Sequence, residues 1–204
     1  MIRKILLISI ITLLSTSLTA QVYYGFKVGA NLANFYGDIE NNSIKASFHI
    51  GAVAEISVSD LFSVQPELLF SMQGSQGENN SLLTSHTSVP IDGKDFSSTK
   101  TNFYYLNLPI MVKYFVTDMI SIDAGPQVGY LLYAKESNGT DELTDIKDLT
   151  KSIDYGLNLG GSYEMDNGMN INLRYYYGLA NVLDSNDAKM NNALIQISLG
   201  YKFY

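Results

Sequence analysis

Residues 169–179 read Met-Asn-Ile-Asn-Leu-Arg-Tyr-Tyr-Tyr-Gly-Leu. Met169, Ile171, Leu173, Tyr175, Tyr177 and Leu179 share one parity, and Asn170, Asn172, Arg174, Tyr176 and Gly178 the other. Strict alternation predicts a β-strand, because successive side chains of a strand point to opposite faces. Its length suits a tilted crossing of a lipid bilayer, which takes roughly 9–11 residues.

The same period recurs on both sides of this stretch, at 22–34, 48–58, 62–73, 104–114, 120–132, 153–163 and 193–203. Eight strands result, an even number, as single-chain membrane barrels require. The connections alternate in length. Residues 59–61, 116–119 and 165–168 are tight turns, with Asp166-Asn167-Gly168 a strong turn signal. Residues 35–45, 74–101, 135–151 and 180–190 are longer and polar. Short periplasmic turns and long external loops put both termini on the periplasmic side.

Alternation alone does not say which face is outside. A soluble lipocalin-type barrel alternates too, with its apolar residues inside. The charges decide. Beyond the first twenty residues the chain keeps eleven basic and twenty acidic residues, a net of −9. The polar parity holds Lys27, Lys113, Arg174 and Lys202 against Glu55, Glu67, Asp123 and Asp154. Asp60, Asp118, Glu164 and Asp166 fall in turns, and the other charges fall in the long loops. None is left for the apolar parity. A wet outer face would be dense in lysine and glutamate; this polar face is instead rich in Gly, Asn, Ser and Gln. Sparse, balanced charges suit a narrow lumen where ions must pair. The apolar parity suits lipid, where a basic residue near the midplane costs about 2–4 kcal/mol. Tyr23, Tyr36, Tyr104, Tyr114, Tyr130, Tyr163 and Tyr201 stand near strand ends, as interfacial girdles require. Pro66, Pro109 and Pro126 fall inside strands and predict a bulge or locally broken pairing, since proline lacks a ladder donor.

Residues 1–20 have the three parts of a secretory signal peptide. Arg3 and Lys4 precede an apolar core at 5–14, and small residues lead to a cleavage point after Ala20. The expected organisation is therefore a signal peptide over 1–20 and one barrel domain over 21–204. The chain has no cysteine, which excludes disulfides and lipoprotein acylation.

Several short stretches resemble the outer-membrane β-barrel family common in Bacteroidota, often labelled porin-family or PorT-like. They are Gly25-Phe26-Lys27-Val28-Gly29-Ala30-Asn31, Gln65-Pro66-Glu67-Leu68, Tyr105-Leu106-Asn107-Leu108-Pro109, Ala124-Gly125-Pro126, Tyr155-Gly156-Leu157, Leu173-Arg174-Tyr175 and Gly200-Tyr201-Lys202-Phe203. Their order and spacing span nearly the whole chain after residue 20. The resemblance implies an integral outer-membrane barrel with strand prolines as a family trait. It implies no single activity, because one fold hosts many functions.

Lys27, Glu55, Glu67, Lys113, Asp123, Asp154, Arg174 and Lys202 could form an ion or proton pathway. A structural network filling the lumen is the better reading, because eight strands leave an interior just wide enough for side chains. His49, or His86 beside Ser85, could serve a Ser/His/acid site, but such a site is defined by geometry that the sequence does not fix. Asp141, Glu142, Asp145 and Asp148 lack the spacing and glycine of a calcium loop and read as a solvated acidic loop. No catalytic residue, metal site or cofactor is expected, and net negative charge argues against nucleic acid. The expected protein is an all-β, eight-stranded, antiparallel up-and-down transmembrane barrel with a filled lumen. Its role would be structural, or binding through the external loops. Expected partners are outer-membrane lipid and envelope proteins, secretion proteins or surface ligands. A secretion or assembly accessory, a narrow solute channel and a barrel enzyme are the alternatives.

Overall fold

A computed structural model of the chain describes residues 21–37, 42–77, 99–137, 143–183 and 189–203. Eight long strands form the wall: β1 (Val22–Gly37), β2 (Lys45–Ser59), β3 (Phe62–Gly77), β4 (Thr99–Phe115), β5 (Ile120–Ser137), β6 (Ile153–Glu164), β7 (Met169–Gly178) and β8 (Met190–Phe203). Each is antiparallel to its sequence neighbour, and β1 pairs with β8 from Tyr24–Phe203 to Gly37–Met190. The sheet therefore closes, which leaves no unpaired edge for lipid to meet. Among the described residues two short strands lie outside the ring. Asn42–Ser43 pairs with the end of β3, and Leu143–Asp145 with the end of β5.

The three tight connections lie at one end of the barrel with the start of β1 and the end of β8, and the strand ends that lead into the four long ones lie at the other. At the tight end, Thr117 Oγ1 accepts from the Ile120 N–H at 3.0 Å. In the third turn Asn167 Oδ1 accepts from the Met169 N–H at 3.0 Å, and Gly168 takes the positive φ of 86° that the chain reversal needs.

The apolar parity faces out. Tyr24, Val58, Leu157, Leu159 and Leu173 are each more than half exposed. Aromatic rings border this band. At the turn end Phe62 packs on Tyr114, and Phe26, Tyr201 and Phe203 cluster. At the loop end Phe48, Phe70, Tyr104 and Tyr133 run across four adjacent strands, and Tyr36 stacks on Tyr177 at 4.8 Å. Ten residues separate Tyr104 from Tyr114 on β4; at about 3.3 Å per residue and a tilt near 40° they span roughly 25 Å, the height of a membrane-barrel apolar band. Tyr23 departs from the expected girdle. It lies on the inner parity and donates to Gln21 Oε1.

The prolines break pairing without shifting register. On the β2 side of Pro66 the ladder skips from Val53–Glu67 to Ile56–Val64, while Pro66 still pairs with Ile110 on β4. Pro109 and Pro126 behave alike, each interrupted on one flank and paired on the other. The register shifts lie elsewhere, at Ser57/Ser59 and where Tyr104–Tyr133 gives way to Tyr105–Leu131. The second is a bulge that inserts Leu132 and flips the parity of β5 beyond it. Tyr133 thus faces out and Ala134 in, so the strict alternation expected through residue 132 ends at the bulge. Six of the strands also outrun their predicted ends on the long-loop side, because backbone pairing continues past the last lipid-facing residue, whereas β6 starts at the predicted Ile153 and β7 ends at Gly178.

Candidate functional site

All eight charged residues assigned to the lumen are buried there. They sort into layers by strand number. Near the turn end the even strands supply Glu55 (β2), Lys113 (β4), Glu164 (β6) and Lys202 (β8), with signs alternating around the ring. Lys113 Nζ lies 2.9 Å from Glu55 Oε2 and also pairs with Glu164. Lys202 Nζ lies 3.1 Å from Glu55 Oε2 and likewise pairs with Glu164. Glu164 was expected in a turn. Its strand runs one residue further than the parity pattern suggested, and the side chain turns inward to complete the ring.

The next layer comes from the odd strands: Lys27 (β1), Glu67 (β3), Asp123 (β5) and Arg174 (β7). Glu67 accepts from both terminal guanidinium nitrogens of Arg174 and from Lys27 Nζ, all at 2.8–2.9 Å. Asp123 is held by the hydroxyls of Ser121 and Ser162 and the amide of Asn172. Glycine makes room for these long side chains. Lys27 lies in register between Gly51 and Gly200, and Gly160 between Asp123 and Arg174. Side chains from alternate strands fill a narrow barrel in layers because adjacent inner positions are too close for two large groups.

Above these layers His49 bridges Asn31 Oδ1, at 2.7 Å, and Ser198 Oγ, at 2.8 Å. The third partner is thus an amide rather than an acid, and both His49 and Ser198 are sealed from solvent. Ser85, His86, Asp141 and Glu142 lie outside the described residues. Of the acidic loop, Asp145 caps the Lys147 N–H at 2.9 Å. Among the described residues no group of three or more His, Cys, Asp or Glu could hold a metal ion.

Asp154 is buried too but stands apart from the ion pairs. Its Oδ2 accepts from Asn192 Nδ2 at 2.8 Å.

At the loop end the lumen is closed by an apolar cap, in place of the Gly, Asn, Ser and Gln expected inside. Phe35, Phe103, Leu131, Ile146, Leu183 and Met190 form its centre. The third long connection folds inward to supply Ile146, whose N–H donates to the Ala134 carbonyl at 3.1 Å. The fourth supplies Val182 and Leu183; the Lys151 N–H donates to the Val182 carbonyl at 2.8 Å, and Thr150 bridges Leu183. The cap was invisible to parity counting, because most of its residues lie where no period holds.

Among curated proteins no relative matches the chain. Its fold is similar to that of Neisserial surface protein A, with a TM-score of 0.58 and 12% identity over 88% of this chain and 97% of that one. It is also similar to the attachment invasion locus protein Ail of Yersinia pestis, in a structure holding the heparin analogue sucrose octasulfate. That match has a TM-score of 0.51 and 13% identity, over 90% of this chain and 99% of Ail. At such identity the likeness is one of fold. The family model of the outer membrane protein beta-barrel domain matches residues 16–184, most of the chain. With a lipid-facing apolar band, a filled lumen and this match, the chain belongs to the outer membrane protein beta-barrel domain family, and its barrel is an outer-membrane one.

Proposed function

We propose that this barrel is a non-conducting scaffold that presents its long connections outside the cell, where they bind a partner. The observation that carries the reading is the lumen itself. Glu67 and Arg174 join opposite walls, with the Glu55–Lys113–Glu164–Lys202 ring towards the turn end and the apolar cap at the loop end. A path blocked by paired charge and packed hydrocarbon serves neither diffusion nor substrate entry. The charged set is on this reading structural, and the protein is not an enzyme. The tight turns and both termini face the periplasm, as short turns do in such barrels. Residues 1–20, outside the described residues, act as a cleaved signal peptide ahead of a barrel domain over 21–204.

The long connections carry twelve acidic and seven basic residues on the sequence map, so a neutral or basic surface is a better partner than a polyanion. Planar-bilayer recording should give no unitary conductance from the wild-type protein; stable single-channel steps would overturn the reading. Exchanging residues 78–98 and 138–142, which leaves the paired strand ends and the cap in place, for unrelated sequences should give a folded barrel that no longer binds its cell-surface partner. A second reading follows from the ordered motifs between Gly25 and Phe203: a PorT-like accessory of secretion or assembly, within a Bacteroidota branch of the family. Co-purification of secretion components with the tagged barrel would favour it.

A further inference from the structure

One glycine of the wall faces the wrong way for a packing role. Among the described residues every other glycine between the aromatic girdles takes the inner parity, where a Cβ would meet a neighbour within 2.7 Å. Gly161 takes the outer parity, between Leu159 and Tyr163 on β6. A Cβ there would meet a single atom, the Ser121 carbonyl oxygen at 3.2 Å, and its φ lies outside the left-handed region. Packing and backbone geometry therefore put little demand on glycine here. A strand interior disfavours it, and a strand glycine often marks a place where a ligand comes close to the backbone.

The missing side chain opens the outer face. Ile122 on β5 and Leu173 on β7 lie in register with Gly161 on either side. Their strands are two sheet spacings apart, about 9–10 Å, so the gap between them suits a single hydrocarbon chain. The resulting groove has a volume of about 830 Å³, and Ile120, Ile122, Leu159, Tyr163, Ile171 and Leu173 supply most of its apolar lining. Ordinary ligand pockets occupy roughly 300–1,000 Å³. Left empty, the groove would forfeit dispersion contacts along its floor. It opens on the lipid-facing side of the barrel, which makes hydrocarbon its occupant. A second barrel is convex there and cannot follow a groove one strand wide.

The groove starts at Ile120 and Tyr163, beside the turns, and runs away from them toward Leu159 and Tyr175. A chain lying in it therefore enters from the turn-side leaflet, with its headgroup at the level of the turns. The two turns that border the groove carry Asp118 and Asp166, both exposed, and Asp60 is exposed in the remaining one. Among the described residues no lysine or arginine is exposed at that end; Lys113 and Lys202 are buried in the ring. An anionic headgroup would meet uncompensated carboxylates there, whereas an ammonium group would be drawn to them. The geometry points to a lipid-binding groove: one acyl chain of a phospholipid lies over Gly161, and Asp118 and Asp166 favour a zwitterionic headgroup ending in an ammonium, of the ethanolamine type.

The test is native mass spectrometry of the refolded full barrel, released from vesicles of equal parts phosphatidylethanolamine and phosphatidylglycerol with identical acyl chains. The wild-type protein should retain one lipid, with the ethanolamine form enriched severalfold. Gly161→Leu, its folding checked by heat-modified gel mobility, should lose the retained lipid. The double variant Asp118→Asn, Asp166→Asn should keep a lipid and lose the preference. Should Gly161→Leu fail to fold, Gly161→Ala should lower the retained fraction instead. A wild-type barrel with no lipid, with the glycerol form in excess, or with a second copy in place of the lipid would overturn the proposal. Wild-type retention in the folded Gly161 variant, or an unchanged preference in the double aspartate variant, would overturn it as well.

Discussion

Glu67 and Arg174 stand 107 positions apart in the chain and meet across the barrel, Oε2 to Nη1 at 2.9 Å and Oε1 to Nη2 at 2.8 Å. They come from β3 and β7, half a circuit apart in a closed ring of eight strands. The bidentate pair therefore spans the lumen, and Lys27 completes it from β1.

Replacing Arg174 with methionine keeps most of the volume and leaves Glu67 with Lys27 and the Gln65 amide. Breaking a buried pair from one side costs about 3–5 kcal/mol. Urea unfolding of the variant in lipid vesicles should show a loss of that size. Adding Glu67→Gln should deepen the loss rather than recover it, because Glu67 is the carboxylate that pairs with buried Lys27.

Glu164 and Asp166 lie two residues apart at the same turn, yet only Glu164 enters the lysine ring. Glu164→Gln should lower the unfolding midpoint and broaden heat-modified gel mobility. Asp166→Asn should stay within about 0.5 kcal/mol of wild type, as exposed substitutions do. Equal effects from the two would remove Glu164 from the ring.

Gly160 and Gly161 are neighbours on β6 with opposite surroundings. A Cβ on Gly160 would crowd the Leu173 carbonyl and stand 3.0 Å from Arg174 Cα, whereas one on Gly161 would meet only the Ser121 carbonyl, at 3.2 Å. Gly161 faces lipid, in a shallow apolar groove between Ile122, Leu159 and Leu173. Gly160→Val should destabilise by about 1–3 kcal/mol through overpacking. Gly161→Val should refold at the wild-type yield with a midpoint close to wild type.

A charge on the outer face tests the placement in lipid. Leu173→Arg, between the aromatic girdles, should cost about 2–4 kcal/mol, and Val58→Arg, at the turn end, about 0–1. Equal costs measured by refolding into vesicles would contradict the position of the apolar band.

The eight strands, their inner and outer faces and the lipid-facing band were legible in the sequence. A strand's period is set by the local geometry of its own backbone, so Leu173 and Arg174 declare opposite faces without reference to any other segment. The same pattern placed Lys27, Glu67 and Arg174 in the lumen and counted their charges. Tertiary structure alone decided which acid meets which base. That pairing depends on the register at which β1 closes onto β8, a property of the whole ring. Closure drew Glu164 from its turn into the lysine ring and, among the described residues, left Asp154 out of the ion pairs. The cap is non-local for the same reason. Phe35, Ile146 and Leu183 share no period, and they become one apolar cluster only when the barrel mouth brings their separate connections together.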